Sequence, residues 1–254
     1  MTLFHRIVCT GSVFLSMVTS YLLATDQSQK DDTFDWPRHR GNAALQGVSK
    51  SILGTKLTLD WIFETGEYLK SSVVISEGIA YIGSDLGVLH AIDIESGKEK
   101  WNFKTEMAIE APPLIYQGKV YAGSTDSFLY ALSADSGKLL WKYETLGEIM
   151  GAANQATRPV SKDEVIIVGS YDNFVHCMDA KSGKGLWKFE TQNYVNGVPT
   201  IFDQKYVVFG GCDSMLYVID LETGKEIRSL EVEAPIAASV AVADGVGYVG
   251  NMDR

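Results

Sequence analysis

The sequence predicts an all-β fold, a β-propeller of four-stranded antiparallel blades, and three observations carry that prediction. An eleven-residue phrase recurs four times. Residues 91–101 read Ala-Ile-Asp-Ile-Glu-Ser-Gly-Lys-Glu-Lys-Trp; residues 131–141, 177–187 and 218–228 repeat the pattern. Its glycines Gly97, Gly137, Gly183 and Gly224 are spaced by 40, 46 and 41 residues, and a period of about 40 with strand-like contents marks a radial array of small sheets. Within a period, four runs of β-branched and aromatic residues are separated by Gly, Asp and Ser, as in antiparallel strands joined by hairpins. The composition agrees: 46% hydrophobic residues with 24 Gly suit an all-β domain, and the short runs leave no room for long helices.

In chain order, the first element is a leader. Residues 1–6 carry one positive charge, 7–24 are apolar and 25–32 turn polar, the layout of a secretory signal peptide over 1–24. Left uncleaved, that apolar stretch would anchor the chain to a membrane. Cys9 precedes the apolar run and is badly placed for lipidation. Residues 25–56 form a lead-in, and 57–254 the propeller. Trp61, 40 residues before Trp101, marks a lone outer strand. Four complete blades follow at 70–105, 110–145, 157–191 and 197–232, then two further strands at 236–242 and 246–250. Seven or eight blades need roughly 280–360 residues at this period. The expectation is a C-terminally incomplete ring of four full blades plus partial ones; a five-bladed ring with a short closing blade is the rival.

Each recurring residue has a physical reason. In the phrase, Gly97, Gly137, Gly183 and Gly224 stand where the turn into the fourth strand requires positive φ. Asp93, Asp179 and Asp220 open that turn and can accept its backbone N–H groups, with Ser133 in the second copy. Trp61, Trp101, Trp141 and Trp187 lie on outer strands where neighbouring blades meet. An indole buries roughly 150–250 Å² there, a gross stabilisation of about 4–6 kcal/mol. The fourth copy has Arg228 instead, which predicts the weakest joint.

One segment departs from the period. From Trp141 to Trp187 is 46 residues, and the excess reads as a long loop over 146–159, before the inner strand of the third blade. Loops on a rigid scaffold carry binding, so Asn154, Gln155 and Arg158 are candidate binding residues near the mouth of the central channel.

No catalytic constellation emerges. The acids are scattered over turns, and the Ser-Gly-Lys turns lack the spacing and following helix of a phosphate loop. His90 and His176 share the slot filled by Tyr130 and Tyr217, and a whole blade separates them, so no metal site is expected. Cys177 and Cys212 sit too far apart in the repeat to form a disulfide and are expected as free thiols. The net charge is −10, and −11 without residues 1–24, which contain only Arg6 among charged Lys, Arg, Asp and Glu. That balance disfavours nucleic acid and anionic membranes and suits either solubility or a cationic partner.

The copies resemble the PQQ-like β-propeller repeat of the quinoprotein alcohol dehydrogenase-like superfamily. Its pattern runs Gly-Ser, turn, Leu-Tyr-Ala-Leu-Asp, turn, Thr-Gly-Lys and a docking Trp. Trp36-Pro37-Arg38-His39-Arg40-Gly41-Asn42 is similar to the Trp-Pro-x-x-Arg-Gly-Asn stretch that precedes many such propellers. The resemblance covers about residues 57–253. It implies either quinoprotein dehydrogenases, which bind pyrroloquinoline quinone (PQQ), or non-enzymatic secreted propellers such as an outer-membrane assembly lipoprotein that binds a barrel-inserting partner. Neither the adjacent Cys pair nor the Glu, Asn and Asp calcium set of those enzymes maps onto this chain. The expectation is therefore a non-catalytic periplasmic or secreted scaffold that binds a protein or another ligand and needs no cofactor. One alternative is the N-terminal part of a dehydrogenase with PQQ and Ca²⁺; another is the sensor or substrate-binding propeller of a larger multidomain protein. The question of an enzyme stays open, leaning against.

Overall fold

A computed structural model describes residues 35–49 and 55–253, which fall in one compact unit. The signal-peptide and anchor expectations for 1–24 lie outside the described residues. Every regular element described is a strand. The first blade is β1 (Val74–Ser76), β2 (Ile79–Gly83), β3 (Val88–Asp93) and β4 (Glu99–Lys104). The second is β5 (Leu114–Tyr116), β6 (Lys119–Gly123), β7 (Phe128–Ser133) and β8 (Leu139–Glu144). The third is β9 (Asn154–Thr157), β10 (Glu164–Gly169), β11 (Phe174–Asp179) and β12 (Gly185–Glu190). The fourth is β13 (Thr200–Phe202), β14 (Tyr206–Gly210), β15 (Met215–Asp220) and β16 (Glu226–Glu231), and a two-stranded sheet follows, β17 (Ala241–Ala243) and β18 (Val246–Tyr248). Each four-stranded sheet keeps its strands in chain order, inner to outer, all antiparallel.

The phrase sets the register. Ala91 faces Trp101, Ala131 faces Trp141, Cys177 faces Trp187 and Val218 faces Arg228 across the third and fourth strands. In every blade the register shifts by one residue just after that pair on the third strand. Such a bulge adds local twist and aims the indole out of its own sheet. The second and third strands are almost wholly buried, while β4, β8 and β12 alternate between exposed and half-buried residues. The core therefore lies between blades. Tyr81, Leu89 and Ile109 pack with Val120 and Leu132 at the first joint, and Val175 and Cys177 with Phe209 and Ile219 at the third.

Each joint is closed by one ring. Trp61 lies on Gly97, Trp101 on Gly137, Trp141 on Gly183 and Trp187 on Gly224, so close that a Cβ on any of these glycines would come within 2.6 Å of the ring. All four glycines have φ between 66° and 72°. The residue is thus required twice, by the turn and by the ring of the preceding strand. Trp61 Nε1 donates to Ile94 O at 2.8 Å, Trp101 Nε1 to Ala134 O at 2.8 Å and Trp187 Nε1 to Leu221 O at 3.1 Å. Trp141 Nε1 is buried without a partner, because Ala180 O accepts from Tyr121 Oη at 3.0 Å instead. Residues 57–64 join no ladder among the described residues, yet Trp61 docks as an outer-strand ring does. Arg228 is exposed, and no following turn stands beside it among the described residues.

The lead-in takes a path its sequence does not announce. Trp36 pairs with Ile75 on β1 through two backbone bonds of 2.7 and 3.0 Å. Pro37 O accepts from Ile115 N on β5, Arg38 Nη1 donates to the side chain of Asn154 on β9, Ala43 O accepts from Ile201 N on β13, and Ala44 O accepts from Val242 N on β17. Residues 36–44 thus cross the inner strands of all five sheets in order, and Leu45 ends buried against Ala152 and Val198.

Candidate functional site

Antiparallel strands give the propeller two unlike ends. One carries the linkers between blades and the turns from second to third strands. The other carries the hairpins β1–β2 and β3–β4 and their equivalents.

The linker end is built by a repeated network. Thr105, Thr145 and Thr191 are buried just after the outer strands. Thr105 Oγ1 lies 2.9 Å from Gly87 O and 2.6 Å from Met107 O, and Thr145 and Thr191 repeat the arrangement. Ile109, Ile149, Val195 and Ile236 then press on Gly83, Gly123, Gly169 and Gly210, where a Cβ would lie 2.2–2.5 Å from them. Asp126, Asp172 and Asp213 cap the turns into β7, β11 and β15 and bind Tyr130 Oη at 2.8 Å, His176 Nε2 at 2.9 Å and Tyr217 Oη at 2.7 Å. The first blade has Leu86 in that turn, and Glu67 accepts its N–H at 2.8 Å.

Where the first three blades meet, these loops frame a groove of about 600 Å³ lined by Leu86, Met107, Met150, Glu106, Glu110 and Glu148, among others. Leu86 is 64% exposed, Met107 53% and Leu146 79%. Lys70 bridges Asp85 at 3.4 Å and Glu110 at 2.7 Å, while Lys104 Nζ is held by Leu86 O. Glu106 and Glu148 form no ion pair among the described residues, while Lys104 lines the same groove. Further round, Tyr171 and Tyr194 stack at 4.4 Å and 6°. The surface offers apolar side chains beside uncompensated carboxylates.

The candidate loop has to be corrected. Linkers 105–113 and 145–153 are equal in length. The extra residues lie instead in the β9–β10 hairpin, whose turn is 158–163 where the second blade has 117–118. Asn-Gln-Ala-Thr reads as a polar loop but is strand β9, so the third blade begins at Asn154, not 157. Asn154 is wholly buried: its Nδ2 donates to Ala43 O and Pro199 O, both at 2.9 Å, and its Oδ1 accepts from Arg38. It clamps the lead-in and faces no channel mouth. Gln155 is half-buried. Arg158 sits at the hairpin end, where it pairs with Asp163 at 3.1 Å and Glu222 at 3.0 Å and ties the third blade to the β15–β16 turn.

At the same end, Asp93, Asp179 and Asp220 each accept the N–H and hydroxyl of the Ser or Thr three residues on. Those bonds to Ser96 hold the Asp93 carboxyl below its ordinary value. Burial pushes Asp179 up, but its bonds to Ser182 outweigh it and the net shift is downward.

The family described as outer membrane protein assembly factor BamB matches residues 54–175 and again 171–254. The chain belongs to that family. Among solved structures, BamB from Moraxella catarrhalis aligns with a TM-score of 0.60 at 22% identity, and the computationally designed Ika8 protein with 0.61 at 21%. Each alignment covers 70% of this chain and 54% of the other, so the chain spans about half the length of those two. At such identity the likeness concerns the propeller fold. No curated protein matches the sequence significantly.

Within this BamB-family propeller, no group of His, Cys, Asp or Glu side chains among the described residues is arranged to hold a metal ion. His90 Nδ1 lies 2.7 Å from Glu99 of its own blade, and His176 binds Asp172 and, at 3.1 Å, Tyr143 Oη. Cys177 is buried and Cys212 half-buried, both free, and burial raises both thiol pKa values.

Proposed function

We propose that this chain is a non-catalytic scaffold of the cell envelope, periplasmic or secreted, that docks a protein partner on its linker end. The groove between the first three blades carries this reading. Leu86, Met107 and Met150 supply apolar contact, while Glu106 and Glu148 supply uncompensated negative charge. Such a surface suits a segment with apolar anchors flanked by Lys or Arg, because charge complementarity steers encounter and fixes register. Membership of a family described as an outer-membrane assembly factor supports an envelope protein as the partner.

Site-specific photo-crosslinking in the envelope fraction tests it. A crosslinker at Met107 is expected to capture a defined protein, less so as salt rises, and one at Glu95 on the hairpin end is expected to capture none. Glu106→Lys with Glu148→Lys should weaken capture at least about tenfold. Equal capture at both ends, or dye reduction that depends on added PQQ and Ca²⁺, would overturn it.

A further inference from the structure

The hairpin end holds a buried cation with nothing to balance it. Arg38 is only 8% exposed, and the one hydrogen bond of its guanidinium among the described residues is from Nη1 to Asn154 Oδ1 at 2.9 Å. Its Nε is buried without a partner, and no carboxylate pairs with it among the described residues. Asn154 is fixed by its bonds to Ala43 and Pro199, so the group facing the guanidinium is a neutral amide oxygen. Burial pulls the Arg38 pKa down, yet a guanidinium stays protonated in proteins. Burying an unpaired charge is costly in general, so the donors that Asn154 does not take are left for an anion.

Arg38 lines a hollow of about 270 Å³ between the β1–β2 and β5–β6 hairpins. Pro37, Ile115 and the rings of Tyr81 and Tyr116 give it apolar walls. Burial first, and then Glu164, push the Tyr116 hydroxyl up to about 12, so it is neutral and committed to Glu164. Glu77 stands at the exposed rim. A planar carboxylate matches the guanidinium fork, and charge-assisted pairs of this kind are the strong ones.

We propose that this hollow binds the carboxylate of a small acid with an apolar body, the carboxylate on Arg38 and the body between Tyr81 and Tyr116. The chemistry is shared by a free organic acid and by the C-terminus of an apolar peptide. It is independent of the linker-end groove.

Calorimetric titration of the full chain with benzoate, its neutral isostere benzamide, sulfate, and a tripeptide ending in Phe tests the proposal. Benzoate or the tripeptide is expected to saturate one site per chain. The tighter of the two identifies the source, and benzamide should bind at least about tenfold more weakly. Arg38→Met should abolish the binding. Glu77→Gln, which leaves Arg38 and its contacts in place, should tighten it about two- to fivefold. If Arg38→Met unfolds, the Glu77→Gln shift and the benzoate–benzamide difference decide. Equal binding of benzoate and benzamide, no saturable binding of either acid, or affinity indifferent to Glu77→Gln would overturn the proposal.

Discussion

The first two complete joints look alike and are not. Trp101 lies on Gly137 and Trp141 on Gly183 with the same ring-to-backbone approach. At the first, the indole N–H reaches Ala134 O at 2.8 Å, while Tyr81 Oη stands back at 3.5 Å. At the second, Tyr121 Oη has taken Ala180 O at 3.0 Å and the indole N–H is stranded. The turns differ as well: the first opens on Ser133, the second on Asp179. Ring packing is thus common to both joints, while hydrogen bonding is distributed differently. Removing the whole indole should cost more at the first joint by about one hydrogen bond, and removing only the N–H should isolate that difference.

The largest effect is expected from the ring itself. Trp141→Ala should lower unfolding stability by about 3 kcal/mol in urea titrations, and Trp101→Ala by about 1 kcal/mol more because it also removes a bonded donor. A gap well beyond one hydrogen bond would mean that packing, too, differs between the joints. Gly137→Ala and Gly183→Ala come next, at about 2–3 kcal/mol each, since the methyl group meets both an indole and a left-handed backbone. The contrast then appears in Trp→Phe changes. Trp101→Phe should cost about 1–2 kcal/mol, because it removes a bonded donor from Ala134 O. Trp141→Phe should cost about 0–1 kcal/mol, because the lost N–H had no acceptor. Equal costs would show that a water completes the second joint.

The smallest effect belongs to the turns. Asp93 and Asp179 have folded pKa values below their ordinary 3.8. A carboxyl of that kind stabilises the fold above its unfolded value and loses the contribution as pH falls through the folded one. Asp179→Asn should therefore lower stability at pH 7 by only about 0.5 kcal/mol after solvent screening, and the difference should fade as pH falls below the ordinary carboxyl value. Ser133→Asp should add about as much at pH 7 and nothing in acid. Thermal midpoints across that range check both.

The blades were legible because each states its contacts locally and restates them in every copy. Gly97 and Trp101 announce a turn and a strand from a few neighbours, and the four copies average away exceptions. The candidate binding residues were less legible for a definite reason. A period gives the length of an insertion but not its place, so extra residues in the β9–β10 hairpin read as a linker. Asn154 reads as an open-loop residue because polar residues are usually exposed. Its burial is explained by partners at Ala43 and Pro199, 111 and 45 residues away. Arg38 gave no signal in the chain beyond its place in the Trp-Pro stretch, because its distinction is a missing counter-charge.

The lead-in crossing has a consequence in time. Gln46 bonds Val242 O across 196 residues, and Ala44 O accepts from Val242 N in the last sheet described. Blades fold from neighbours in sequence, whereas contacts this distant wait on the whole intervening chain. The stretch can therefore be fastened only sheet by sheet, with Trp36 on the first and Ala44 on the last described. It acts as a completion check: a chain stalled at the third blade has places for Trp36, Pro37 and Arg38 but none for Ala43 and Ala44.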